Sequence, residues 1–207
     1  MDKDNIIRDV ASYYSDKLAE HGDTPRGVDW NGKDSQSIRF GQLSKIINSS
    51  TGFSINDIGC GYGALQDYLS VRYTDYQYIG IDVSESMIQA ARVRYSGVLD
   101  VKFIHSSEPE EIADYGVASG IFNVCLGVTE DKWWDYLEGT LDVINRSSRI
   151  GFSFNCLTSY SDKEKMRDGL FYANPGKVFD LCKQKFSRNV ALLHDYDLYE
   201  FTVLVRK

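Results

Sequence analysis

The chain has 207 residues, a length typical of one domain with at most a small appendage. Hydrophobic residues make up 43% and charged residues 26%, which is ordinary globular composition. The formal net charge of −7 argues against a general binder of phosphate backbones, so we expect no nucleic-acid partner.

The start of the chain has neither the basic segment nor the apolar segment of a signal peptide. No apolar run approaches the roughly 18 residues that a membrane span needs. We therefore expect a soluble, cytoplasmic protein with no membrane partner. The four cysteines lie far apart and form no CxxC pair. This spacing predicts small apolar fillers and no metal site.

Two helices are predicted before residue 50. Apolar residues recur at helical spacing from Ile6 to Leu18 and again from Ile38 to Ile47. A loop rich in glycine and aspartate, 21–34, separates them. We expect residues 1–50 to form a helical extension or lid and residues 51–207 to form the main domain.

Strands alternate with helices after residue 50. Short β-branched or apolar runs predict strands at 53–58, 76–82, 101–105, 115–124, 149–155, 189–196 and 198–207. Helical patterns cover 64–70, a segment capped by Ser84, a segment from Trp133 to Ile144, and 175–185. Such alternation predicts an α/β fold with a doubly wound, Rossmann-like sheet of seven strands, most of them parallel.

The last two predicted strands are too close together for a parallel crossover. A crossover needs a dozen or more residues, and almost none separate 189–196 from 198–207. The two strands must therefore form an antiparallel hairpin, which gives five parallel strands and a terminal antiparallel pair.

A glycine turn, GCGYGA (59–64), follows the first strand and opens a helix. Glycines remove Cβ atoms where a ligand must approach the backbone, and this spacing fits the dinucleotide fingerprint. Asp82 ends the next strand, 19 residues after Gly63, where a carboxylate can bind both hydroxyls of a ribose. Together these features predict a ligand of the adenosine type.

Three cofactor classes compete for this turn. The turn has no Gly-Lys-Ser/Thr, so a nucleoside triphosphate is excluded. NAD and S-adenosylmethionine (SAM) remain. Asp57, two residues before Gly59, would repel a pyrophosphate but suits the sulfonium and ammonium charges of SAM.

The segment DIGCGYG (57–63) resembles the first motif of class I SAM-dependent methyltransferases, an acid followed by G-x-G-x-G. YIGIDVSESMIQAAR (78–92) resembles their second strand and helix. The terminal hairpin resembles their reversed seventh strand, which NAD-dependent Rossmann domains do not normally share. The resemblance covers about residues 50–207.

This resemblance implies cofactor contacts. Gly59, Gly61 and Gly63, with Cys60 between them, would approach the methionine part and the ribose of SAM, and Asp57 would lie near its ammonium group. Asp82 would bind the ribose hydroxyls. Further cofactor contacts would come from Val83 and Met87 near the adenine, from Ser106 or Ser107 along its edge, and from Asn123 near the methyl group.

One position departs from the family pattern. Many members have an aspartate after the third strand, where this chain has Ser106 and Ser107. Glu108 could take over that contact. Arg39 could pair with the SAM carboxylate if the N-terminal helices fold over the pocket, and a surface salt bridge is the alternative.

The candidate bases are His105, which ends the third predicted strand on the expected ligand side, and His194, which could reach the same edge. The alternatives are a pocket-wall residue for His105 and a hairpin residue for His194. Methyl transfer from a sulfonium needs a base only if the acceptor must lose a proton.

Candidate acceptor-binding residues are aromatic. Tyr14 and Trp30 precede the sheet, one of the adjacent Trp133 and Trp134 could face the cleft, and Tyr160 and Tyr172 lie in a long segment, 156–176, that has little periodicity. The alternative for each is a purely structural role, either in core packing or on a surface helix.

The sequence predicts a SAM-dependent methyltransferase that transfers a methyl group to a small-molecule acceptor by in-line displacement, with S-adenosylhomocysteine (SAH) as product. The alternatives are an NAD-dependent oxidoreductase and a SAM-binding regulatory protein without turnover.

Overall fold

Eight strands form one sheet in the computed structural model, which describes residues 3–207. The strands are β1 (Phe53–Ile58), β2 (Tyr76–Asp82), β3 (Val101–His105), β4 (Ala113–Ala118), β5 (Ser148–Thr158), β6 (Tyr172–Ala173), β7 (Asn189–Leu193) and β8 (Glu200–Arg206). Their order is β3-β2-β1-β4-β5-β8-β7, and β6 pairs with the end of β5. Neighbouring strands from β3 to β5 are parallel, whereas β8 runs antiparallel to both β5 and β7. The predicted α/β sheet with a reversed C-terminal strand is confirmed.

Six helices flank this sheet within the described residues. They are α1 (Lys3–His21), α2 (Lys33–Leu43), α3 (Ala64–Ser70), α4 (Glu85–Arg94), α5 (Glu130–Arg146) and α6 (Pro175–Lys185), with short 3₁₀ turns at Pro25–Val28, Ser44–Ile46 and Lys163–Lys165. The strands β1, β2 and β3 and the helices α3 and α6 have the predicted bounds. Within this part of the chain, no helix is both long and apolar enough to cross a bilayer.

Two hydrophobic clusters hold the helices on the sheet. One contains Ile6 of α1 together with Trp133 of α5, and the other contains Phe40 of α2 and Ile88 of α4. Helices therefore cover both faces, as a doubly wound sheet requires. Because α1 and α2 join these clusters, the N-terminal helices share the core of the sheet. The domain boundary near residue 50 stays a prediction.

The fourth strand is shorter than the predicted 115–124, because β4 ends at Ala118. Gly120 leaves the extended conformation with a φ of 78°, and its N–H donates to the side-chain oxygen of Asn155 at 2.8 Å. Phe122 is fully buried in the turn that follows. Its hydrophobicity reflects burial in the core rather than continuation of the strand.

The ends of several other strands also differ from the predicted bounds. β5 extends to Thr158, so the long segment 156–176 begins inside the sheet and also contains β6. β7 ends at Leu193 and β8 begins at Glu200. Residues 194–199 leave the ladder because Tyr196 turns inward, where its hydroxyl shares a hydrogen bond with Thr202 at 3.0 Å.

All four cysteines are free and buried. Three of them belong to the cluster of α1 and α5, and Cys60 belongs to the cluster of α2 and α4. Burial raises the pKa of the Cys60, Cys156 and Cys182 thiols above the ordinary value, so the reactive thiolate is disfavoured. These positions agree with the filler role predicted for the cysteines.

Candidate active site

The glycine turn lies where the carboxyl ends of β1, β2 and β4 meet. Gly59, Gly61 and Gly63 have φ values of 74°, 54° and 87°, a conformation that other residues rarely adopt. The N–H groups of Gly59 and Cys60 both donate to the Ile81 carbonyl, at 2.8 and 3.0 Å. These bonds fasten the turn to β2.

The absence of side chains lets other groups approach the turn. A Cβ atom on Gly59 would lie 2.1 Å from Cγ2 of Ile121, and one on Gly61 would lie 3.0 Å from Cγ1 of Val28. The open backbone of the turn therefore faces the loop after β4 and the segment that follows α1. The missing side chain of Gly63 makes room for core packing, because a Cβ atom built there would clash with the rings of Tyr95 and Phe103.

Asp82 is tied directly to the glycine turn. One carboxylate oxygen accepts the Gly61 N–H and the other accepts the Ser84 N–H, both at 2.8 Å. Ser84 in turn caps α4 by accepting the N–H of Met87. Burial raises the pKa of Asp82, and the two backbone donors oppose that rise. The carboxylate is thus oriented and faces a cavity beside the turn.

Asp57 is a second buried carboxylate on the same cavity. It is 2% exposed, and its Oδ2 accepts the hydroxyl hydrogen of Tyr78 at 2.5 Å. Burial raises the pKa of Asp57 to about 7, with a further contribution from the charge of Asp82, while the Tyr78 hydrogen bond lowers it. A cationic group beside Asp57 would stabilise the ionised carboxylate and so offset the cost of its burial.

The N-terminal helices form the opposite wall of this cavity. α1 contributes Lys3, Ile7, Val10 and Tyr14 at helical spacing. Val28 and Trp30 follow, and α2 contributes Gln36 and Phe40. The wall is fastened to α4, since the Ser15 hydroxyl lies 2.9 Å from that of Ser84 and Arg94 pairs with Asp23 at 2.7 Å.

Comparison with known proteins identifies this arrangement. A model of the methyltransferase domain family matches residues 55–147. The Mycobacterium tuberculosis protein named "Putative methyltransferase Rv1506c" is 57% identical over 163 residues, which are 79% of this chain and 98% of that protein. The chain belongs to the class I SAM-dependent methyltransferases.

Solved structures of methyltransferases share this fold over nearly their whole lengths. The DhpI–SAH complex has a TM-score of 0.68 at 15% identity and covers 97% of this chain and 96% of its own. Magnesium protoporphyrin IX methyltransferase from Synechocystis PCC 6803 with bound SAH has a TM-score of 0.66 at 14% identity and covers both chains completely. The N-methyltransferase NodS from Bradyrhizobium japonicum WM9, with SAH, has a TM-score of 0.66 at 16% identity, covering 95% and 97%. At such identities the likeness concerns the fold alone.

Most of the predicted cofactor residues line the cavity beside the glycine turn. From β1 and the glycine turn these are Asp57, Gly59, Cys60 and Gly61. From the ends of β2 and β3 and from the first turn of α4 they are Asp82, Val83, Met87, Ser106 and Ser107. Two of the predicted acceptor residues, Tyr14 and Trp30, also line it. The sequence pattern therefore located one wall and part of the other.

Three predicted cofactor residues do not line the cavity. Gly63 packs as described above. Asn123 uses its side-chain oxygen to accept the Leu157 N–H at 3.0 Å, which joins the loop after β4 to β5. Arg39 pairs with Glu200 instead of facing the cavity. The cofactor contacts of these residues stay predictions.

Glu108 is the predicted substitute contact for the adenine edge. In the structure it pairs with Lys3 at 3.2 Å and with Arg146. It does not line the cavity, whereas Ser107 does.

The predicted bases and the other aromatic residues lie elsewhere. His105 is exposed with Nε2 3.0 Å from the Val83 carbonyl, and His194 is exposed beside the rings of Tyr160 and Phe201. Trp133 is fully buried and donates its indole N–H to the Phe122 carbonyl. Tyr160 is largely exposed, and the Tyr172 hydroxyl accepts the Arg167 N–H. None of these side chains lines the cavity.

Part of the cavity wall lies on α5 and was not predicted from the sequence. Tyr136, Thr140 and Val143 line it, and their spacing of four and three residues marks one helical face. The same spacing joins Lys3, Ile7, Val10 and Tyr14 on α1. Periodicity identified both helices but could not show that these faces meet a cavity rather than the core.

Proposed function

We propose that this methyltransferase binds SAM in the cavity beside the glycine turn and transfers the methyl group to a small molecule. The observation that carries the proposal is Asp57, a buried carboxylate that lines the cavity next to the turn and has a raised pKa. Such a site suits the ammonium and sulfonium charges of SAM and disfavours the pyrophosphate of NAD.

Other features of the cavity fit the same ligand. The turn offers a backbone cradle without Cβ atoms at Gly59 and Gly61, and Asp82 offers oriented carboxylate oxygens for ribose hydroxyls. The hydroxyl of Ser119, at the end of β4, is buried without a hydrogen-bond partner among residues 3–207, and Ser119 lines the cavity. It provides a polar contact for the amino-acid end of the ligand.

The adenine would lie at the other end of this cavity. Val83 and Met87 supply an apolar surface there, and Ser106 and Ser107 follow β3 along its edge. The Ser106 hydroxyl is occupied by the backbone of Glu108. Ser107 is therefore the residue that we assign to the adenine edge.

Bound SAM supplies a methyl group on a sulfonium that is already an activated leaving group. The protein then has to align the acceptor with the methyl group and exclude water. Tyr14 and Trp30, on the N-terminal wall, are placed to do both. Ile121 covers Gly59, so we expect its side chain to rotate when the amino-acid end of the ligand enters.

We propose further that the acceptor reacts without a histidine base. Neither His105 nor His194 lines the cavity. Burial raises the pKa of the Tyr14 and Tyr136 hydroxyls, which keeps these two lining groups protonated at neutral pH. An acceptor that is already anionic, or a neutral amine, needs no protein base for attack on the methyl group.

Calorimetric titration of the purified protein with SAH, SAM and NAD tests the cofactor assignment. We expect micromolar or tighter binding of SAH and SAM and no saturable binding of NAD, with about 1 μM corresponding to −8.2 kcal/mol. Binding of NAD without SAH would overturn the assignment in favour of an oxidoreductase.

Transfer from methyl-labelled SAM across a panel of carboxylates, amines, phenols and thiols tests turnover. We expect label to appear in one class of small acceptor, and its yield to persist in His105→Ala and His194→Ala. Tight SAH binding without transfer to any class would favour a regulatory SAM-binding protein instead.

A further inference from the structure

Three buried polar side chains form one hydrogen-bonded chain behind the cavity. Arg39 of α2 donates from Nε and Nη2 to the carboxylate of Glu200, at 2.6 to 2.9 Å. Asn155 of β5 donates its amide hydrogen to the same carboxylate at 2.5 Å. Arg39 is 7% exposed, Glu200 2% and Asn155 0%.

Both ends of this chain reach the cavity wall. The side-chain oxygen of Asn155 accepts the N–H of Gly120 at 2.8 Å. The guanidinium carbon of Arg39 lies 3.7 Å from the centre of the Trp30 ring. Gly120 and Trp30 also touch one another, because a Cβ on Gly120 would lie 2.7 Å from Cζ2 of Trp30. Both residues line the cavity. The hydrogen bonds and these two packing contacts therefore link the residues in a closed circuit whose front edge is the cavity wall.

The wall held in this way adjoins the glycine turn. Ile121 follows Gly120 and lies against Gly59, whose backbone we assign to the methionine part of SAM. Val83 and Met87, which we assign to the adenine, follow the end of β2 and lie in the first turn of α4, and the hydrogen bonds that join Arg39, Glu200, Asn155 and Gly120 do not include them. The network therefore supports one end of the cavity selectively.

Stability alone does not account for a network of this kind. Replacing a buried ion pair by apolar side chains of similar volume is often neutral or stabilising, because two charges lose their hydration. What such a pair does provide is fixed geometry, since Nε and Nη2 of Arg39 make directional bonds to the carboxylate, while Nη1 is buried without a hydrogen-bond partner among residues 3–207. Here the network meets Gly120 through the hydrogen bond to Asn155, and it meets Trp30 through the face of the Arg39 guanidinium.

We propose that Glu200 is a positioning residue for the amino-acid end of the cofactor. Through Asn155 it fixes the turn at Gly120 and Ile121, and through Arg39 it fixes the ring of Trp30. This inference rests on the proposed function, because it assigns the end of SAM that each wall holds.

Two ligands that differ only at one end test the proposal. SAH carries the complete amino-acid arm, whereas 5′-methylthioadenosine has the same adenosine without that arm. In Glu200→Gln the carboxylate charge is lost and Arg39 keeps at most one good acceptor. We expect SAH to bind about tenfold more weakly, the size of one lost buried hydrogen bond, while 5′-methylthioadenosine keeps its wild-type affinity.

Ser153→Ala is the matched control. Ser153 lies in β5 two residues before Asn155, is fully buried, and donates to the Leu43 carbonyl of α2 at 2.9 Å. Its loss removes one buried hydrogen bond between β5 and α2, two of the three elements that the network joins, and leaves the bond between Asn155 and Gly120 in place. We expect both ligands to bind as they do to the wild type, and thermal melting to show that the Ser153→Ala protein is folded and loses less stability than the Glu200→Gln protein, whose Arg39 charge stays buried without its partner.

Arg39→Lys gives a second test if Glu200→Gln does not fold. Lysine retains the charge opposite Glu200 but loses the flat group beneath Trp30, so SAH binding should again weaken selectively. Unchanged SAH affinity in a folded variant, or an equal loss for both ligands, would overturn the positioning role. If the wild type binds neither ligand, the proposed function itself fails, which is a separate result.

Discussion

The two walls of the cavity are built in different ways. The wall from Asp57 to Met87 consists of a glycine turn and strand ends that lie within about thirty residues of one another, and backbone hydrogen bonds fix it. The N-terminal wall consists of side chains that depend on distant partners: Trp30 packs against Gly120 and against Arg39, which Glu200 holds from behind the wall. The first wall is a local motif, and the second is a product of tertiary packing.

The largest expected effect lies behind both walls, where Trp133 anchors α5. This indole is fully buried and bonded to the Phe122 carbonyl. Trp133→Ala should lower the free energy of unfolding by about 3–5 kcal/mol, because it leaves a large cavity and an unpaired carbonyl. Trp134→Ala, at the half-buried neighbour, should cost about 1 kcal/mol or less. Chemical denaturation measures both, and equal effects would show that Trp133 is not the core member of the pair.

The next effect concerns the local wall. Asp82→Ala removes the carboxylate that the Gly61 and Ser84 amides hold in place. The affinity for SAH should fall by about 1–3 kcal/mol, as for a lost buried partner. Because Asp82 is assigned to the ribose, 5′-methylthioadenosine should lose as much.

Asp67→Ala is the control for this measurement, since Asp67 is an exposed carboxylate that pairs with Arg94 outside the cavity. Its affinity for both ligands should equal that of the wild type. Unchanged binding in a folded Asp82→Ala protein would refute the ribose assignment.

Sequence analysis located the local wall for a physical reason. Turn geometry needs glycine at positive φ, and parallel strands bring their carboxyl ends to one edge, so neighbouring positions in the sequence are neighbours in space. Gly59, Gly61 and Asp82 follow from these two rules alone. The fold follows similarly from alternating elements and from the short connection before β8.

The other wall could not be predicted in the same way. Arg39 and Glu200 are 161 residues apart, and a buried bidentate pair has no signature in either local segment. Asn123 ends an apolar run like a site residue, yet it bonds to β5 because the chain turns at Gly120. Helical periodicity found the apolar faces of α1 and α5 but not the cavity between them.

The charge state of Asp57 should affect binding of the amino-acid end of the ligand but not of its adenosine end. Its pKa of about 7 means that the free protein holds a proton on Asp57 below that pH. An ammonium group favours the ionised carboxylate, so the proton must leave when SAH binds. Affinity for SAH should therefore rise as pH increases to about 7, by up to about tenfold per unit, and then level off.

Two controls isolate Asp57 in this titration. The Asp57→Asn variant should bind SAH with no such rise, and 5′-methylthioadenosine, which lacks the ammonium group, should show none in the wild type. Asp82 also has a raised pKa, but its ribose contact is common to both ligands and cancels in the comparison. A wild-type SAH affinity that stays constant below pH 7 would contradict the placement of the ammonium group.

The smallest effect is expected where the two walls are fastened together at the surface. Arg94 of α4 pairs with Asp23 in the N-terminal segment at 2.7 Å and with Asp67 of α3 at 2.6 Å, and all three side chains are partly exposed. Exposed pairs contribute about 0.2–1 kcal/mol and are screened by salt. Asp23→Asn should therefore raise amide hydrogen exchange in α1 by up to about fivefold at low salt, and little at high salt. Asp142→Asn removes one of the two partly exposed carboxylates that pair with Lys185 between α5 and α6, and it should leave α1 unchanged. An equal change in both variants, or a change insensitive to salt, would show that this ion pair does not fasten the N-terminal wall.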